Sequence, residues 1–328
     1  MTPLERFYSR VSLVEAEMAR IVPRDAPPAE VYGLIWQFLD LGGKRFRPLL
    51  ALSASRAVGG REQDALAAAA AIELFHNFTL IHDDIEDDSQ MRRGKPCLHI
   101  SHGTPLALNA GDGLFMMVWR AALKVRSSKS EAVQSMLLSS FTAVLEGQAR
   151  ELGWHQRNDW NLSEADYLDM AAGKTAALVS AACGVGAILG GGRPAQAKAL
   201  AAYGRGIGVA FQIQDDVLNL VGDEAKYKKE IGGDIREGKR TLMVLHALPS
   251  LSKPDAEKMR KILGSRAADA AKIEWCISKL KAAGSIDYAS DYSRRLVGES
   301  LSSLSKLPKS DARDELEAVA KFIIERES

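Results

Sequence analysis

Three long segments of this 328-residue chain, at positions 61–88, 163–190 and 194–221, are apolar on nearly every side of a helix. Helices of this kind lie at the centre of a bundle and are surrounded by amphipathic ones. Ala, Leu, Glu, Lys and Arg are abundant, whereas period-two runs of Val, Ile, Thr and aromatic residues are nearly absent. The sequence therefore predicts an all-α helical bundle with no sheet.

Gly, Pro and cap residues mark the breaks between the predicted helices. Ser163 followed by Asp166 has the spacing of a capping box. The chain length alone would suggest about two domains. No Pro/Ser linker, change of composition or fixed-period repeat divides the chain, so we expect a single domain over residues 1–328. The predicted helices occupy positions 4–22, 27–41, 45–58, 61–88, 105–126, 130–154, 163–190, 194–221, 240–248, 254–264, 268–283, 287–305 and 310–327.

Composition excludes several classes of function. The formal net charge of +1 gives no basis for nucleic-acid binding. Cys97, Cys183 and Cys276 are odd in number and far apart, which argues against a disulfide framework and favours the cytoplasm. The N-terminus lacks the apolar core of a signal peptide. The uncharged run from Thr175 to Gly192 is near the length of a membrane span but is rich in small residues, so we expect a buried helix and no membrane span.

The stretch LIHDDIEDDSQMRRG, at positions 80–94, places a cluster of acids at the end of an apolar run. Asp83, Asp84 and Asp87 are spaced i, i+1, i+4, so on a helix Asp83 and Asp87 lie one turn apart on the same face. Carboxylates are seldom buried unless they are paired or bind a metal. One such cluster is nevertheless common on solvated helix ends, and by itself it would indicate nothing more.

A second cluster repeats this spacing in FQIQDDVLNL, at positions 211–220, where Asp215, Asp216 and Asn219 interrupt an apolar segment. Like charges at this spacing repel one another, so two such clusters on separate apolar helices require cations. Oxygen ligands without a neighbouring His or Cys favour a hard ion. Mg²⁺ fits best, because it binds one or two carboxylates together with water and substrate phosphate.

Basic residues accompany the acidic clusters. Arg and Lys that bind phosphate oxygens, together with carboxylates that hold Mg²⁺, are the usual equipment for binding a diphosphate. The chain has no G-x-x-x-x-G-K-[ST] sequence, so a P-loop is excluded. The basic residues are the three cations of GKRFRP at 43–48, Arg92 and Arg93, Lys174, and Lys229, Lys239 and Arg240, which flank Gly232-Gly233-Asp234.

Five motifs resemble, in order, those of the trans-isoprenyl diphosphate synthases over about residues 30–250: GGKRFRP, HNFTLIHDDIEDDSQMRRGKP, KTAALVSAACGVGA, FQIQDDVLNL and GGDIREGKRT. The resemblance implies an all-α bundle with a deep central cavity, usually a homodimer. It also implies a Mg²⁺-dependent prenyltransferase. Such an enzyme condenses isopentenyl diphosphate with an allylic diphosphate, head-to-tail (1'-4), into a short all-trans prenyl diphosphate.

The same resemblance implies roles for particular residues. Three Mg²⁺ ions are implied, with Asp83, Asp84 and Asp87 as ligands in the first motif and Asp215 and Asp216 in the second. Asn219 stands where many members have Asp, but its oxygen can still serve as a ligand or accept a hydrogen bond, so we expect activity. The other roles are isopentenyl diphosphate binding by Lys44, Arg47, His76 and Arg93, allylic diphosphate binding by Arg92, Lys174, Lys229 and Lys239, and contact of Thr175 and Gln212 with the developing carbocation. Asp83, Asp84, Lys174, Thr175, Gln212 and Asp215 form the predicted catalytic set.

Product length is expected to depend on the helix before Asp83, because the growing tail extends along it. At about 1.5 Å per residue, Phe78 lies roughly 7–8 Å and Phe75 about 12 Å below Asp83. In the family, a bulky residue at the Phe78 position with a small one at Thr79 often accompanies a twenty-carbon product. We therefore expect geranylgeranyl diphosphate first, then farnesyl diphosphate, then longer chains. The alternative is that Phe78 belongs to the core and points away from the tail.

Two other functions stay open on sequence grounds. A class I terpene cyclase would carry one aspartate motif and no GKRxRP block. A non-catalytic subunit of a heteromeric prenyltransferase could lose one motif, although both are present here. Consumption of isopentenyl diphosphate and turnover with Mg²⁺ distinguish these alternatives from the expected enzyme.

Overall fold

The computed structural model describes residues 1–222, 231–265 and 268–325. Most of these residues are helical, which confirms the all-α prediction. The α-helices are Pro3–Tyr8, Val11–Ile21, Ala29–Leu39, Phe46–Ala57, Glu62–Glu86, Leu98–His102, Thr104–Ala122, Ser130–Gln156, Glu164–Ala171, Ala177–Leu189, Pro194–Val221, Gly233–Glu237, Leu242–Ala247, Lys253–Ser265, Ala270–Ala282, Ser285–Ser303 and Asp311–Glu325, with a π-helical turn at Ala172–Ala176 and a 3₁₀ turn at Leu304–Lys306.

Most predicted helices are present with ends close to those expected. The capping box is confirmed, because the Asp166 amide donates to Ser163 Oγ at 3.2 Å and the Ser163 amide donates to Asp166 Oδ2 at 2.8 Å. The predicted helix 4–22 is divided into two helices. The predicted helix 163–190 contains the π turn, which inserts an extra residue into the helix without leaving any periodic signal in the sequence.

The prediction of no sheet is wrong at one place. Met91–Arg92 and Lys95–Pro96 form a two-stranded antiparallel ladder. Arg93 and Gly94 connect the strands with φ values of 51° and 78°, as a tight hairpin turn requires. Strands of two residues are too short to produce an alternating pattern, so the sequence gives no indication of them.

The chain folds into two compact units. The first comprises Met1–Ser139, Ala181–Ala201 and Lys306–Leu316, and the second comprises Ser140–Ser180, Ala202–Ser305 and Glu317–Ser328. Each unit has its own core, whereas the expectation of a single domain over residues 1–328 stays a prediction.

In the first unit, the Glu62–Glu86 helix packs against the Phe46–Ala57 and Thr104–Ala122 helices. Residues 68–71 of its alanine run are fully buried, as the apolar pattern predicted. The unit also contains a buried carboxylate, Glu315, which accepts hydrogen bonds from Arg10 Nη2 at 2.6 Å, Ser53 Oγ at 2.9 Å and Arg56 Nη1 at 3.0 Å. These partners compensate for the cost of burying its charge.

The second unit has a core of Tyr, Met, Ile, Leu and Val side chains, with Tyr167 and Met243 among its most buried members. Arg240 fixes the segment before the Leu242–Ala247 helix. Its guanidinium lies 4.4 Å from the centre of the Trp160 ring and donates to Asn158 Oδ1 at 2.9 Å. Arg240 therefore has a structural role, and Trp160 anchors it.

Two helical segments, Glu62–Glu86 and Glu164–Leu189, are long and apolar enough to cross a membrane by length and composition. Two-thirds of each apolar stretch is buried within the protein, as is usual for core helices. The absence of a membrane span stays a prediction.

Candidate active site

The first acidic cluster lies where the Glu62–Glu86 helix ends. Asp83 and Asp84 occupy its last turn, and Asp87 is its C-terminal cap, with its amide donating to Asp83 O at 2.9 Å. Asp84 is 2% exposed. Its Oδ1 accepts hydrogen bonds from Arg92 Nε, at 2.8 Å, and from Arg92 Nη2. Its Oδ2 is buried and has no hydrogen-bond partner among the described residues.

The short hairpin after the helix presents the two arginines. Arg92 lies in the first strand and reaches back to Asp84. Arg93 begins the turn in a left-handed conformation, and its Nη1 donates to Gly42 O. The hairpin therefore brings Arg93 to the GKRFRP loop, where a Cβ on Gly43 would lie only 2.9 Å from the Arg93 guanidinium.

Several cations surround His76 in the first unit. Burial lowers the pKa of His76 well below its ordinary value, and the charges of Arg47, Arg93, Arg92 and Arg45 lower it further. The imidazole is therefore neutral at physiological pH and lies among four arginine side chains. This positive group suits an anion such as a diphosphate.

The cations of the GKRFRP loop differ in their surroundings. Lys44 is exposed and Arg47 is half-buried, and burial lowers the Arg47 pKa. Arg45 is almost fully buried and donates to Glu73 Oε1 at 3.0 Å and to Leu39 O at 3.2 Å. Arg45 therefore stabilises the loop, which leaves Lys44 and Arg47 as the candidates for binding an anion.

The residues expected to control product length form part of an aromatic cluster. The Phe75 and Phe78 rings are 5.5 Å apart. Phe115, from the Thr104–Ala122 helix, lies 5.1 Å from Phe78 and 6.2 Å from Phe75. Thr79 is half-buried and donates to His76 O at 2.8 Å within its own helix. The role of these residues in product length stays a prediction.

The second acidic cluster lies in the Pro194–Val221 helix of the second unit. Asp216 is buried and accepts hydrogen bonds from Tyr167 Oη at 2.7 Å and from Gln212 Nε2 at 2.8 Å. Thr175 Oγ1 donates to Gln212 Oε1 at 2.6 Å. Thr175, Gln212 and Asp216 are thus joined in one hydrogen-bonded chain. Asp215, next to Asp216, is half-buried.

Two lysines of the second unit are held by carboxylates. Lys239 Nζ lies 2.8 Å from Asp234 Oδ1 and 2.7 Å from Glu237 Oε2, and Lys174 Nζ donates to Glu151. Burial alone would lower the pKa of Lys239, but Asp234, Glu237 and Glu151 raise it well above its ordinary value. Lys174, Gln212, Asp216 and Lys239, all expected at the site, line one small cavity together with Glu151 and Tyr167.

Burial raises the pKa of Asp216 to about 8, and the nearby charge of Asp234 adds to the rise. Burial also raises the pKa of Asp234, although Lys239 opposes the shift. Burial therefore disfavours the ionised form of the Asp216 carboxylate, whereas Asp234 keeps its ion pair with Lys239. A divalent cation at the Asp216 oxygens would favour the ionised form.

The residues fit an oxygen-coordinated cation with incomplete protein ligation. Asp84 has a buried carboxylate oxygen without a hydrogen bond, and Asp216 has a strongly raised pKa. In the described part of the chain, no three His, Cys, Asp or Glu side chains are gathered closely enough to hold an ion. Mg²⁺ commonly binds through one or two carboxylates and completes its shell with water and substrate phosphate, which matches this arrangement.

Asn219 stabilises the neighbouring segment. Its Oδ1 accepts from the Asp234 amide at 3.0 Å, and its carbonyl accepts from the Gly232 amide at 2.7 Å. The side chain therefore caps the start of the Gly233–Glu237 helix and positions Asp234.

Sequence reasoning did not assign Glu151, Tyr167 or Asp234 to the site. Asp234 lies inside the GGDIREGKRT motif, where an acid between glycines and lysines was a usable signal. Glu151 and Tyr167 lie in ordinary amphipathic helices, and only tertiary packing reveals their contacts. Lys229, which was expected to bind the allylic diphosphate, lies outside the described residues.

Comparison with known proteins places these features in a family. A family model described as polyprenyl synthetase matches residues 28–280. The chain is 43% identical over 306 residues to a short chain isoprenyl diphosphate synthase of Methanothermobacter thermautotrophicus, and the match covers 92% of each chain.

Two solved structures are similar over nearly the whole chain. A geranylgeranyl pyrophosphate synthetase from Pyrococcus horikoshii is 37% identical, with a TM-score of 0.93, and the match covers 99% of this chain and 98% of that one. A polyprenyl synthase from Caulobacter crescentus, solved with calcium and isoprenyl diphosphate, is 31% identical, with a TM-score of 0.90 and the same coverage. The resemblance inferred from the motifs is confirmed, and the chain belongs to the polyprenyl synthetase family.

Proposed function

We propose that the chain is a Mg²⁺-dependent prenyltransferase that condenses isopentenyl diphosphate with an allylic diphosphate to make geranylgeranyl diphosphate. The proposal is based on one observation: two long apolar helices each carry a buried aspartate near basic side chains. Asp84 has one carboxylate oxygen without a hydrogen bond, and burial raises the pKa of Asp216. Arg or Lys side chains suited to phosphate lie nearby. The names of the relatives agree with this reaction class.

Asp83, Asp84 and Asp87 would hold Mg²⁺ at the first acidic cluster. Asp215 and Asp216 would hold Mg²⁺ at the second. Bound Mg²⁺ would neutralise the charge that the allylic diphosphate gains as its C–O bond breaks. The calcium and isoprenyl diphosphate bound to the Caulobacter crescentus relative support a divalent cation here.

The basic residues of the first unit would bind isopentenyl diphosphate. Lys44, Arg47 and Arg93 supply charge, and neutral His76 supplies one N–H donor without adding repulsion. When isopentenyl diphosphate is held in place, its attack on the allylic carbon becomes effectively unimolecular instead of bimolecular. The alkene carbon forms the new C–C bond, and the adduct then loses a proton, which the released diphosphate can accept.

The second unit would bind the allylic diphosphate and stabilise the carbocation. Lys174 pairs with Glu151 and Lys239 pairs with Asp234, and both lysines would contact phosphate oxygens. Arg92 from the hairpin and Lys229 complete the predicted set. Thr175 and Gln212 present oxygen atoms whose partial negative charge favours a nearby cation.

The aromatic cluster supports a product of limited length. Phe78 and Phe75 precede Asp83 on one helix, and Phe115 buttresses both. A tail that starts at the aspartates and extends along this helix would meet bulky rings, with small Thr79 beside them. Geranylgeranyl diphosphate is the expected product, with farnesyl and longer diphosphates as the alternatives.

The proposal includes a homodimer in the cytoplasm. Leu108, Met116 and Leu123 are 39%, 55% and 72% exposed and fall on one side of the Thr104–Ala122 helix and its C-terminal cap. Exposed apolar patches of this kind mark protein interfaces. Analytical sedimentation of the wild type should give a dimer, and Met116→Lys should weaken it. A monomeric wild type would contradict the proposed dimer.

The cysteines are buried and unpaired, as suits a reducing compartment such as the cytoplasm.

Product analysis tests the reaction directly. Purified protein is incubated with Mg²⁺, labelled isopentenyl diphosphate and five-, ten- or fifteen-carbon allylic primers. We expect labelled twenty-carbon diphosphate from each accepted primer. Diphosphate release without consumption of isopentenyl diphosphate would identify a terpene cyclase instead. An absence of turnover would favour a non-catalytic subunit.

A further inference from the structure

Two glycines of the second unit bring two backbones into direct contact. Gly147 lies on the Ser130–Gln156 helix and Gly173 lies in the π turn Ala172–Ala176. A Cβ on Gly147 would lie 2.3 Å from Lys174 N and 2.9 Å from Lys174 Cα. A Cβ on Gly173 would lie 2.9 Å from Ala143 O and 3.2 Å from Gly147 Cα. No side chain fits between these backbones.

The π turn that touches Gly147 carries two residues of the proposed site. A π turn contains one more residue than an α turn and changes the direction of the side chains on it, and such turns are frequent at functional sites. Lys174 reaches Glu151, which lies one helical turn after Gly147 on the same face. Thr175 donates to Gln212, the neighbour of Asp216 in the hydrogen-bonded chain.

We infer that Gly147 is a positioning residue. Because it has no side chain, the π turn packs directly against the backbone of its helix, and this contact determines where Lys174 and Thr175 lie. The inference rests on the proposed function and extends it to a residue that contacts no substrate. An added methyl group would need to move the Lys174 backbone by roughly 1 Å to reach an ordinary contact distance, and misplacement on this scale can cost about 100-fold in rate.

The test compares steady-state kinetics of Gly147→Ala with those of the wild type, varying each substrate separately. We expect kcat to fall by about 100-fold and KM for the allylic diphosphate to rise clearly. KM for isopentenyl diphosphate should stay at the wild-type value, because its proposed ligands lie on other elements.

Gly153→Ala is the matched control on the same helix. Its Cβ would meet only the end of the Arg157 side chain, at 3.0 Å, and that flexible group can move aside. Both kcat and the two KM values should remain those of the wild type.

A second variant keeps the test decisive if Gly147→Ala folds poorly. Gly173→Ala introduces milder overlap on the other side of the same contact, and the kinetics are measured on the folded fraction isolated by gel filtration. Loss of folded protein lowers the maximal rate but leaves both KM values unchanged. The inference is overturned if neither variant raises KM for the allylic diphosphate. A wild type that fails to consume isopentenyl diphosphate would instead overturn the proposed function.

Discussion

Arg92 binds one oxygen of the Asp84 carboxylate and leaves the other oxygen buried, with no hydrogen-bond partner in the described chain. The arginine therefore neutralises part of the charge of the first acidic cluster, but it leaves one Asp84 oxygen without a partner. A cation could bind that second oxygen, and Arg92 would then be available to a phosphate group.

Asp84→Asn tests this assignment with little change in volume. We expect kcat to fall by about 100-fold or more, because metal stabilisation of the departing diphosphate contributes several kcal/mol. Asp83→Ala should have a similar effect. Activity is measured over a range of Mg²⁺ concentrations, and thermal unfolding verifies the fold. Asp88→Asn, on an exposed neighbour, is the control and should be fully active. Full activity of Asp84→Asn would refute the metal assignment.

Phe78→Ala should lengthen the product beyond twenty carbons, because it removes a ring from the cluster formed with Phe75 and Phe115. Chromatography of the dephosphorylated products gives the chain length. Phe7→Ala is the control, since it also removes a buried ring and should cost a comparable amount of stability, about 3–5 kcal/mol. The control should leave product length unchanged. An unchanged product from Phe78→Ala would show that this ring belongs only to the core.

Asn219→Asp should remain active, because an aspartate can accept the same hydrogen bond from the Asp234 amide. Asn219→Ala should lower the free energy of unfolding by about 1–3 kcal/mol, because it leaves that buried amide unsatisfied. Urea unfolding and allylic diphosphate kinetics measure the two effects. If Asn219→Ala were as stable as the wild type, the capping role would be wrong.

Glu315→Gln should destabilise the fold by about 3–5 kcal/mol, because the buried Arg10 would lose its closer carboxylate and keep only Glu62, at 3.6 Å. Burial alone would raise the pKa of Glu315, but the hydrogen bonds and charge of Arg10 hold it below its ordinary value. The carboxylate therefore stabilises the fold above its unfolded-state pKa, about 4.3, and this contribution is lost as pH falls through the folded-state pKa.

Urea unfolding from pH 7 to pH 3 measures both parts of this prediction. Below about pH 4, the free energy of unfolding of Glu315→Gln should fall less steeply than that of the wild type. Asp25→Asn, on an exposed loop residue, should reproduce the wild-type curve. Parallel curves for Glu315→Gln and the wild type would contradict the assigned pKa shift.

Local sequence patterns predicted most of the helices and the capping box at Ser163, because helical periodicity and cap chemistry depend on neighbours within a few residues. They did not predict the hairpin that carries Arg92 or the π turn that carries Lys174 and Thr175. Both features are single turns, and their conformations depend on contacts with distant segments, such as the meeting of Gly173 with Gly147.

The sequence by itself determined the all-α class, the family and the two aspartate clusters, because ordered motifs and periodic apolar faces are properties of residue order alone. Tertiary structure decided which groups contact the charged side chains of the site. Arg92 pairs with Asp84, Tyr167 donates to Asp216, and Arg45 is committed to Glu73. These partners lie between 8 and 49 positions apart in the chain. Only folding brings such residues within hydrogen-bond distance, and burial then sets how strongly each pair interacts.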